Sequence, residues 1–263
     1  MAEDEQHRII NSIREYLKLE QEVYGPFQVP EPAPAPQKEE AMAVSDENIW
    51  AESSESVQDA AEPLSANSLD ELRAICEKSD ELRTDLAGTN LVFGTGNPGA
   101  DIMFIGEAPG AQEDKQGEPF VGRAGQLLNK ILAAIHFNRE DVYIANILKH
   151  RPPNNRDPLP EERLRSLPYL YRQIDLIDPR WIVCLGRVSA QTLLETTEPM
   201  KTLRGRFHPF RNNFELMVTF HPAALLRNPA WKRDTWEDMK MLRRSYDELT
   251  GNRDSQSGVS DAR

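Results

Sequence analysis

Three polar residues of different chemistry follow short apolar runs in this sequence. Glu107 follows DIMFIG, Asn146 lies near the end of DVYIANIL, and His221 ends LMVTFH. A carboxylate, an amide and an imidazole are side chains that enzymes use to move protons, to read hydrogen-bonding edges and to stabilise developing charge. Each also has a structural explanation, as a solvated loop acid, a satisfied buried amide or a structural histidine. Residue type alone leaves both explanations open.

The segment that carries the carboxylate has the composition of a ligand-binding loop. The glycines and the proline of GEAPG favour a tight turn whose backbone can approach a ligand closely. Phe120, in EPFVG, precedes a helical pattern, and either packs on the core or offers a stacking face to a planar ligand such as a base. The amide of Asn146 could bond a neighbouring loop, or match the Watson–Crick edge of a pyrimidine.

The elements that must position these residues alternate along the chain. Apolar runs of strand length occupy residues 101–106, 141–148, 181–186 and 216–221. Amphipathic helical patterns occupy 124–137, 161–177, 188–195 and 231–249. This alternation predicts an α/β fold, a three-layer α/β/α domain over 69–250 with a central four-stranded, mainly parallel sheet. Ligands bind beyond the carboxyl ends of such strands, where the polar residues above converge.

The charge of the chain is unevenly distributed. Residues 1–88 contain 7 Lys and Arg against 21 Asp and Glu, whereas the whole chain has a net charge of −12, so the remainder carries +2. The acidic pI therefore does not exclude an anionic partner for the predicted domain. Basic residues on loops near the rim could be solvated or could contact phosphates; they are Lys149, Arg151, Arg156, Lys201, Arg204, Arg206 and Arg211.

The termini differ from the predicted domain. Residues 1–25 have the pattern of an amphipathic helix, which is either weakly ordered or a docking helix for a protein partner. A Pro/Ala-rich acidic linker over 26–68 and a tail over 251–263 are expected to be disordered. Two cysteines and no long apolar run predict a soluble intracellular protein, expected in the cytoplasm and without membrane contact.

Three blocks, taken together, resemble family 4 of the uracil-DNA glycosylase superfamily. They are NLVFGTGNPGADIMFIGEAPGAQEDKQGEPFVGRAGQLL, YIANILKHRPPNNRDP and FHPAALLRNP. Their order and spacing match that family from about residue 69 to residue 249. The resemblance implies a uracil-DNA glycosylase-like fold and a monofunctional enzyme of base excision repair. Such an enzyme flips uracil out of DNA and hydrolyses its N-glycosidic bond.

The resemblance also implies roles for individual residues. Glu107 and Ala108 would line the uracil pocket, Glu113 would lie near the ring and Phe120 would stack on it. Asn146 would read the base edge, and His221 would donate to O2 of the leaving base. We expect catalysis from Glu107, Asn146 and His221. The residues expected to contact DNA, including a wedge formed by the last three, are Lys149, Arg151, Arg156, Arg204, Arg206, Leu225, Leu226 and Arg227.

Members of this family normally carry a 4Fe-4S cluster on four cysteines. The aligned positions here are Cys76, Ser79, His150 and Ser166, so one ligand of four remains. Because cubane clusters depend on thiolate ligands, we predict no cluster, no metal and no other cofactor. Hydrogen bonds from the three replacing residues could partly hold the loop that follows Asn146.

Two classes of function remain. The first is a monomeric uracil-DNA glycosylase acting on DNA that contains uracil, which the matching pocket residues favour. The alternative is a non-catalytic DNA-binding or damage-sensing module on the same fold, to which the lost ligands give weight. A nucleotide-binding α/β protein is a weaker third reading, because the sequence has neither a P-loop nor a dinucleotide-binding glycine pattern.

Overall fold

The computed structural model describes residues 65–211 and 213–257, and for residues 252–257 it describes the backbone alone. The predicted amino-terminal helix over 1–25, almost all of the linker over 26–68 and the end of the tail lie outside these residues. No helix in the described part is long and apolar enough to cross a membrane.

The described residues form one mixed sheet. Its strands are β1 (Thr95–Gly96), β2 (Ile102–Gly106), β3 (Tyr143–Asn146), β4 (Trp181–Leu185), β5 (Phe207–Phe210) and β6 (Phe214–Thr219), in the order β1-β3-β2-β4-β6-β5. The four central strands are parallel and coincide with the four apolar runs.

The predicted sheet of four strands was too small. Antiparallel strands β1 and β5 add one edge at each side, which makes six within the described residues. Neither edge strand is a continuous apolar run: β1 has two residues and includes Gly96 with φ 124°, and β5 contains Pro209. Proline has no backbone N–H to donate. It is tolerated in an edge strand because the side of the strand that lacks this donor can face solvent rather than a partner strand.

Helices flank the strands and set the layers. Their bounds are α1 (Leu69–Lys78), α2 (Ala111–Gln116), α3 (Arg123–Ala134), α4 (Pro160–Ile177), α5 (Arg187–Leu193), α6 (Met200–Leu203), α7 (Pro222–Arg227) and α8 (Lys232–Ser257). Helices α3, α4, α5 and α8 correspond to the four predicted helical patterns, with ends shifted by at most three residues, except that α8 extends eight residues beyond residue 249. Helix α8 ends seven residues beyond residue 250.

Both faces of the sheet are covered, as a parallel sheet requires. Alternate residues of β2 enter different cores: Met103 and Ile105 pack in one apolar cluster with α4, and Ile102 and Phe104 pack in another with α3 and α8. The α/β/α architecture is therefore confirmed.

A third, smaller apolar cluster joins the start of the described chain to α4. It consists of Ala66, Leu72, Cys76, Leu82, Phe93 and Tyr169. Helix α1 begins at a capping residue, Ser68, whose hydroxyl accepts a hydrogen bond from the Glu71 amide at 3.2 Å. Leu72 and Cys76 on its apolar side are fully buried, and Leu69 and Ile75 are partly buried. Cys76 belongs to this cluster and Ser79 directly follows α1, so two of the four positions aligned with cluster ligands in the sequence analysis lie here.

Candidate active site

The carboxyl ends of the parallel strands β2, β3 and β6 bring the candidate residues to one edge of the sheet, with β4 between β2 and β6. Gly106 ends β2 and is directly opposite Asn146, which ends β3. His221 follows β6 by two residues. Glu107, Asn146 and His221 therefore lie at the carboxyl ends of parallel strands, and we call this edge of the sheet the rim.

Asn146 is buried, with 2% of its surface exposed, and its side-chain oxygen accepts no hydrogen bond from the described residues. A buried amide oxygen without a partner is uncommon in folded proteins. The oxygen lies above Gly106, where an added Cβ would come within 2.4 Å of it and within 2.6 Å of Cζ of Phe120. Asn146 and Phe120 therefore meet over a floor that has space only for glycine.

The aromatic ring of Phe120 faces this space from an uncommon backbone conformation. Phe120 has φ 52°, in the left-handed region that residues other than glycine rarely adopt. Its ring centroid lies 5.4 Å from that of His221, with the two planes inclined by 34°. Strain of this kind persists where the surrounding structure enforces it.

Two side chains enforce the conformation of the loop around Phe120. Oε1 of Glu113 accepts hydrogen bonds from the amides of Val121 and Gly122, at 3.0 and 2.9 Å. The guanidinium of Arg139 donates to the carbonyl of Phe120 at 3.2 Å and also to the preceding carbonyl. Glu113, which the resemblance places near the bound ring, thus also holds the loop.

Arg139 is a residue that the sequence analysis missed. It precedes β3 in a run of mixed charges, NRED, which reads as a solvated turn. Its contacts with the loop of Phe120 join residues about twenty positions apart, so no local sequence pattern predicts these contacts. Gly186 was missed for a similar reason: it directly follows β4 with φ 98°, and an added Cβ would lie 2.9 Å from Cβ of His221.

His221 is held in one tautomer by the helix that it caps. Its Nδ1 accepts a hydrogen bond from the amide of Ala223 at 3.1 Å, at the start of α7. A neutral imidazole that accepts at Nδ1 carries its proton at Nε2. Burial, reinforced by nearby Arg227, lowers the pKa of His221 to about 4, although Glu113 acts in the opposite direction. At neutral pH this residue is an uncharged donor.

The pKa of Glu107 is shifted in the opposite direction and is raised. Burial is the main cause that raises the pKa of its carboxyl to about 7, and the negative charge of Asp157 adds to it. The nearby positive charges of Arg187, Arg163 and Arg227 oppose the shift. A carboxyl with a pKa near neutrality can accept or release a proton under ordinary conditions. Ala108, the next residue, is partly buried against the α4 side of the core.

Three of the residues expected to contact DNA do not present a free side chain. Lys149 is fully buried, with its amine donating to Gln173 Oε1 at 2.7 Å and to two backbone carbonyls. Burial lowers the pKa of Lys149 to about 8. Leu225 is 1% exposed and packs inward. Arg204 bonds Asp238 at 2.9 Å through a mostly buried guanidinium. These expectations require correction.

The other expected contacts remain accessible to different degrees. Leu226, Arg227 and Arg206 are exposed. Arg156 is committed to an ion pair with Glu162 at 2.8 Å, and the Nε of Arg151 donates to Asn155 at 2.7 Å. The exposed end of α7 therefore offers one apolar and one cationic side chain, at the opposite end of the helix that His221 caps.

The residues at the four cluster positions do not fit an iron–sulfur cluster. Cys76 is buried, and burial raises the pKa of its thiol to about 11, which disfavours the thiolate that iron needs. The hydroxyl of Ser79 is bonded to Tyr169 at 2.8 Å, and Nδ1 of His150 lies 3.0 Å from the Thr89 hydroxyl.

The remaining donors do not change this result. Ser166 is buried on α4, and Cys184, the only other cysteine in the chain, is buried within β4. Over the described residues, no group of three or more His, Cys, Asp or Glu side chains could hold a metal ion.

Comparisons with known proteins identify the family to which this chain belongs. The model of the uracil DNA glycosylase superfamily matches residues 93–240. The type-4 uracil-DNA glycosylase of Archaeoglobus fulgidus is 45% identical over 175 residues, which cover 64% of this chain and 86% of that protein. The corresponding protein of Pyrobaculum aerophilum is 41% identical over 181 residues, or 66% and 92%.

A bacterial relative extends the comparison. The type-4 uracil-DNA glycosylase of Thermotoga maritima is 45% identical over 141 residues, which cover 53% of this chain and 73% of that protein. The matched family model spans more than half of the chain and includes all the rim residues described above. The chain therefore belongs to the uracil DNA glycosylase superfamily and, within it, to the type-4 uracil-DNA glycosylases.

Proposed function

We propose that this protein is a monofunctional uracil-DNA glycosylase, which removes uracil from DNA by hydrolysis of the N-glycosidic bond. The observation that carries the proposal is the buried, unpartnered oxygen of Asn146 beside the ring of Phe120. An amide oxygen can accept from the N3–H of uracil while the amide nitrogen donates to O4. The Phe120 ring gives the base a face on which to stack.

The reaction needs a group that stabilises the departing base. When the C1′–N1 bond breaks, its electron pair leaves with uracil, and negative charge develops on O2. The neutral imidazole of His221 can donate from Nε2 to that oxygen. A fixed donor at the site of developing charge is an efficient form of catalysis, because it needs no reorganisation during the reaction.

A water molecule completes the reaction by forming a bond to C1′. The oxygen of the water attacks the sugar cation, and its proton must leave. In this proposal Glu107 orients the water and accepts that proton. The raised pKa of this carboxyl, about 7, suits the task near neutral pH.

This role of Glu107 predicts a specific pH dependence. The carboxyl is protonated below its pKa of about 7, so the rate of uracil release should fall roughly tenfold per pH unit below that value and level off above pH 8. His221 is uncharged throughout this range because its pKa is about 4. Single-turnover rates measured from pH 5 to pH 9 would show the profile. Glu107→Gln should be slow and flat with pH; an unchanged slope in that variant would contradict the assignment.

DNA binding and base flipping are part of the same proposal. A uracil inside a duplex must leave the stack before the pocket can receive it. The exposed pair Leu226 and Arg227, at the end of α7, is suited to fill the vacated position and to contact a phosphate. Arg151, Arg156 and Arg206 are further candidates for phosphate contacts, of which Arg206 has the most exposed side chain.

We further propose that the protein works without a 4Fe-4S cluster. The donor set at the four aligned positions supports this, because three of the four thiolates are missing. Because Cys76 lies in the small apolar cluster with Leu72 and Tyr169 and not at the rim, Cys76→Ser is expected to leave uracil release within about twofold of the parent rate and to act mainly on stability, through burial of a hydroxyl. Release rate and iron content measured on both proteins test this. Bound iron together with a large loss on substitution would contradict it.

The remaining parts of the proposal concern the whole chain. We propose that residues 69–250 act as the catalytic domain of a cytoplasmic, monomeric enzyme. The segment over 1–25 is proposed as a docking helix for a protein partner, joined through the acidic linker over 26–68. The uneven charge of the sequence supports this division, since residues 1–68 contain 4 Lys and Arg against 15 Asp and Glu, whereas residues 69–250 contain 25 against 26.

The decisive experiment is uracil release from a uracil-containing oligonucleotide by the purified full chain, with the absorption spectrum and iron content recorded on the same sample. Release by a colourless, iron-free protein is the expected result. Binding of the oligonucleotide without release would instead favour the alternative, a non-catalytic damage-sensing module. Release by a brown, iron-loaded protein would support the activity and contradict the absence of the cluster.

A further inference from the structure

Large apolar side chains are rarely exposed in the described part of this protein, and two of them lie next to the candidate active site. The exposed large hydrophobic residues there are Leu159, Leu226 and Trp231. Leu226 and Trp231 are both on the segment that follows His221. Leu226 is already assigned to the wedge at the end of α7. Trp231, 39% exposed, ends the next turn, a 3₁₀ helix over Pro229–Trp231, and has no assigned role.

Trp231 has a rigid support. Its ring is stacked on the ring of Phe220, with centroids 4.7 Å apart and planes inclined by only 12°. Phe220 immediately precedes His221, so the support is continuous with the active-site rim. The guanidinium of Arg204 lies over the Phe220 ring at 5.0 Å. Phe220 thus contacts both the guanidinium of Arg204 and the exposed indole of Trp231, and these three side chains form one stack.

The base of this stack is fixed by a buried carboxylate. Arg204 donates to both oxygens of Asp238 at 3.0 and 2.9 Å. The hydroxyl of Thr219, the last residue of β6, donates to the same carboxylate at 2.7 Å. This network explains why Arg204 is not available to DNA. It also holds the indole in place without loss of side-chain entropy when a ligand binds, which is an advantage for a contact surface.

The charges around Trp231 fit a polyanion. Residues 226–233 read LRNPAWKR, with three cationic side chains and no acid. Arg227 and Arg233 are exposed on either side of the indole in the sequence. Residues 89–263 carry a net charge of only +2, so three cations within these eight residues are a local excess of positive charge. Aromatic side chains interleaved with cations are typical of surfaces that bind single-stranded nucleic acid, where bases stack and phosphates pair with the cations.

We propose that Trp231 is a stacking platform for an unpaired nucleobase of the DNA strand that carries the uracil, a few nucleotides from the flipped base. This inference rests on the proposed function, because it assumes that the strand passes over the wedge at Leu226. The platform recognises the planar face of any base, so it adds affinity for locally unpaired DNA without adding sequence preference.

The test combines substitutions in the protein with gaps in the DNA. Trp231→Ala and Trp231→Leu remove the aromatic face, and Trp231→Phe keeps one. The probes are single-stranded oligonucleotides with one uracil, in which an abasic spacer replaces the base at each of several positions on either side. Single-turnover release rates at subsaturating enzyme are measured for every pair. The melting temperature of each variant shows whether it is folded.

For the parent protein, a spacer at one offset should lower the rate by about 5- to 150-fold, the range expected for loss of one base–aromatic stack. Trp231→Ala and Trp231→Leu should cause a similar loss on the intact strand, with no further loss from a spacer at that offset. Trp231→Phe should remain near the parent. Such non-additivity identifies the indole and that base as interacting partners.

Three results would overturn the proposal. They are an unchanged rate in Trp231→Ala, a loss in this variant that adds fully to the spacer effect at every offset, or equal losses for Trp231→Phe and Trp231→Ala. Since the parent protein must release uracil in the same assay, failure of the stacking proposal is distinguishable from failure of the proposed activity. Failure of the parent to release uracil from any strand would remove the premise as well.

Discussion

Replacing His221 with alanine is expected to lower the rate of uracil release by about 10²- to 10³-fold. The imidazole is an uncharged donor at neutral pH, since its pKa is about 4 and its Nδ1 is occupied by the amide of Ala223. Its loss leaves the charge that develops on O2 without a fixed partner. Single-turnover rates measured on a uracil-containing oligonucleotide give the effect directly, without contributions from product release.

Two further variants separate this effect from structural damage. His221 also caps α7, and loss of a cap typically costs about 1 kcal/mol of stability. His221→Asn retains a good capping side chain but lacks a donor at the position of Nε2, so it should be as inactive as His221→Ala and more stable. His136→Asn alters an exposed histidine with φ 59° and should be fully active. A His221→Asn variant with nearly the parent rate would refute the role of the imidazole.

The substitution Gly106→Ala should strongly lower the rate of uracil release, because it adds a methyl group at the base of the same pocket. The added Cβ of Gly106→Ala would lie 2.4 Å from Oδ1 of Asn146 and 2.6 Å from Cζ of Phe120. Both contacts are shorter than van der Waals separation, so the amide and the ring must move apart. Displacement of positioning groups by roughly 1 Å can cost about 10²-fold in rate. We therefore expect a loss of about that size, most of it in kcat.

The matched control for this substitution is Gly99→Ala. There the added Cβ meets only the side-chain oxygen of Asn97, at an ordinary 3.8 Å. Both variants should fold, because the atoms that Gly106→Ala displaces belong to side chains rather than to backbone. Melting temperatures and single-turnover rates of the two variants form the comparison. If Gly106→Ala released uracil as fast as Gly99→Ala, the contact between Asn146 and Phe120 would not define the pocket.

The sequence predicts the central layer of this protein well because parallel strands buried on both faces are continuous apolar runs. Strands β2 and β4, for example, are buried at every residue. The two edge strands escape prediction, since β1 is too short for a pattern and β5 is interrupted by Pro209. Edges are specified by pairing with a distant strand, which a local pattern does not contain.

The errors among the candidate residues have a similar origin. Lys149 resembles a loop cation, but its amine is satisfied by the carbonyls of Phe93 and Asn146 and by Gln173. These partners are distant in sequence, apart from Asn146. Leu225 and Leu226 are indistinguishable by type, yet the phase of a helix that begins at Pro222 turns the first inward and the second outward. The resemblance to a family gave the rim residues, whereas burial decided which neighbours can contact DNA.

The brevity of α7 has a mechanical consequence. This helix has six residues, with His221 at its cap and Arg227 as its last residue, so it is about 9 Å long. The imidazole and the exposed side chains at the far end are thus carried by the same short helix. In the proposed function, contact of a DNA strand with the far end would therefore also affect the position of the hydrogen-bond donor. Insertion of the wedge and cleavage of the glycosidic bond would be coupled through less than two turns of helix.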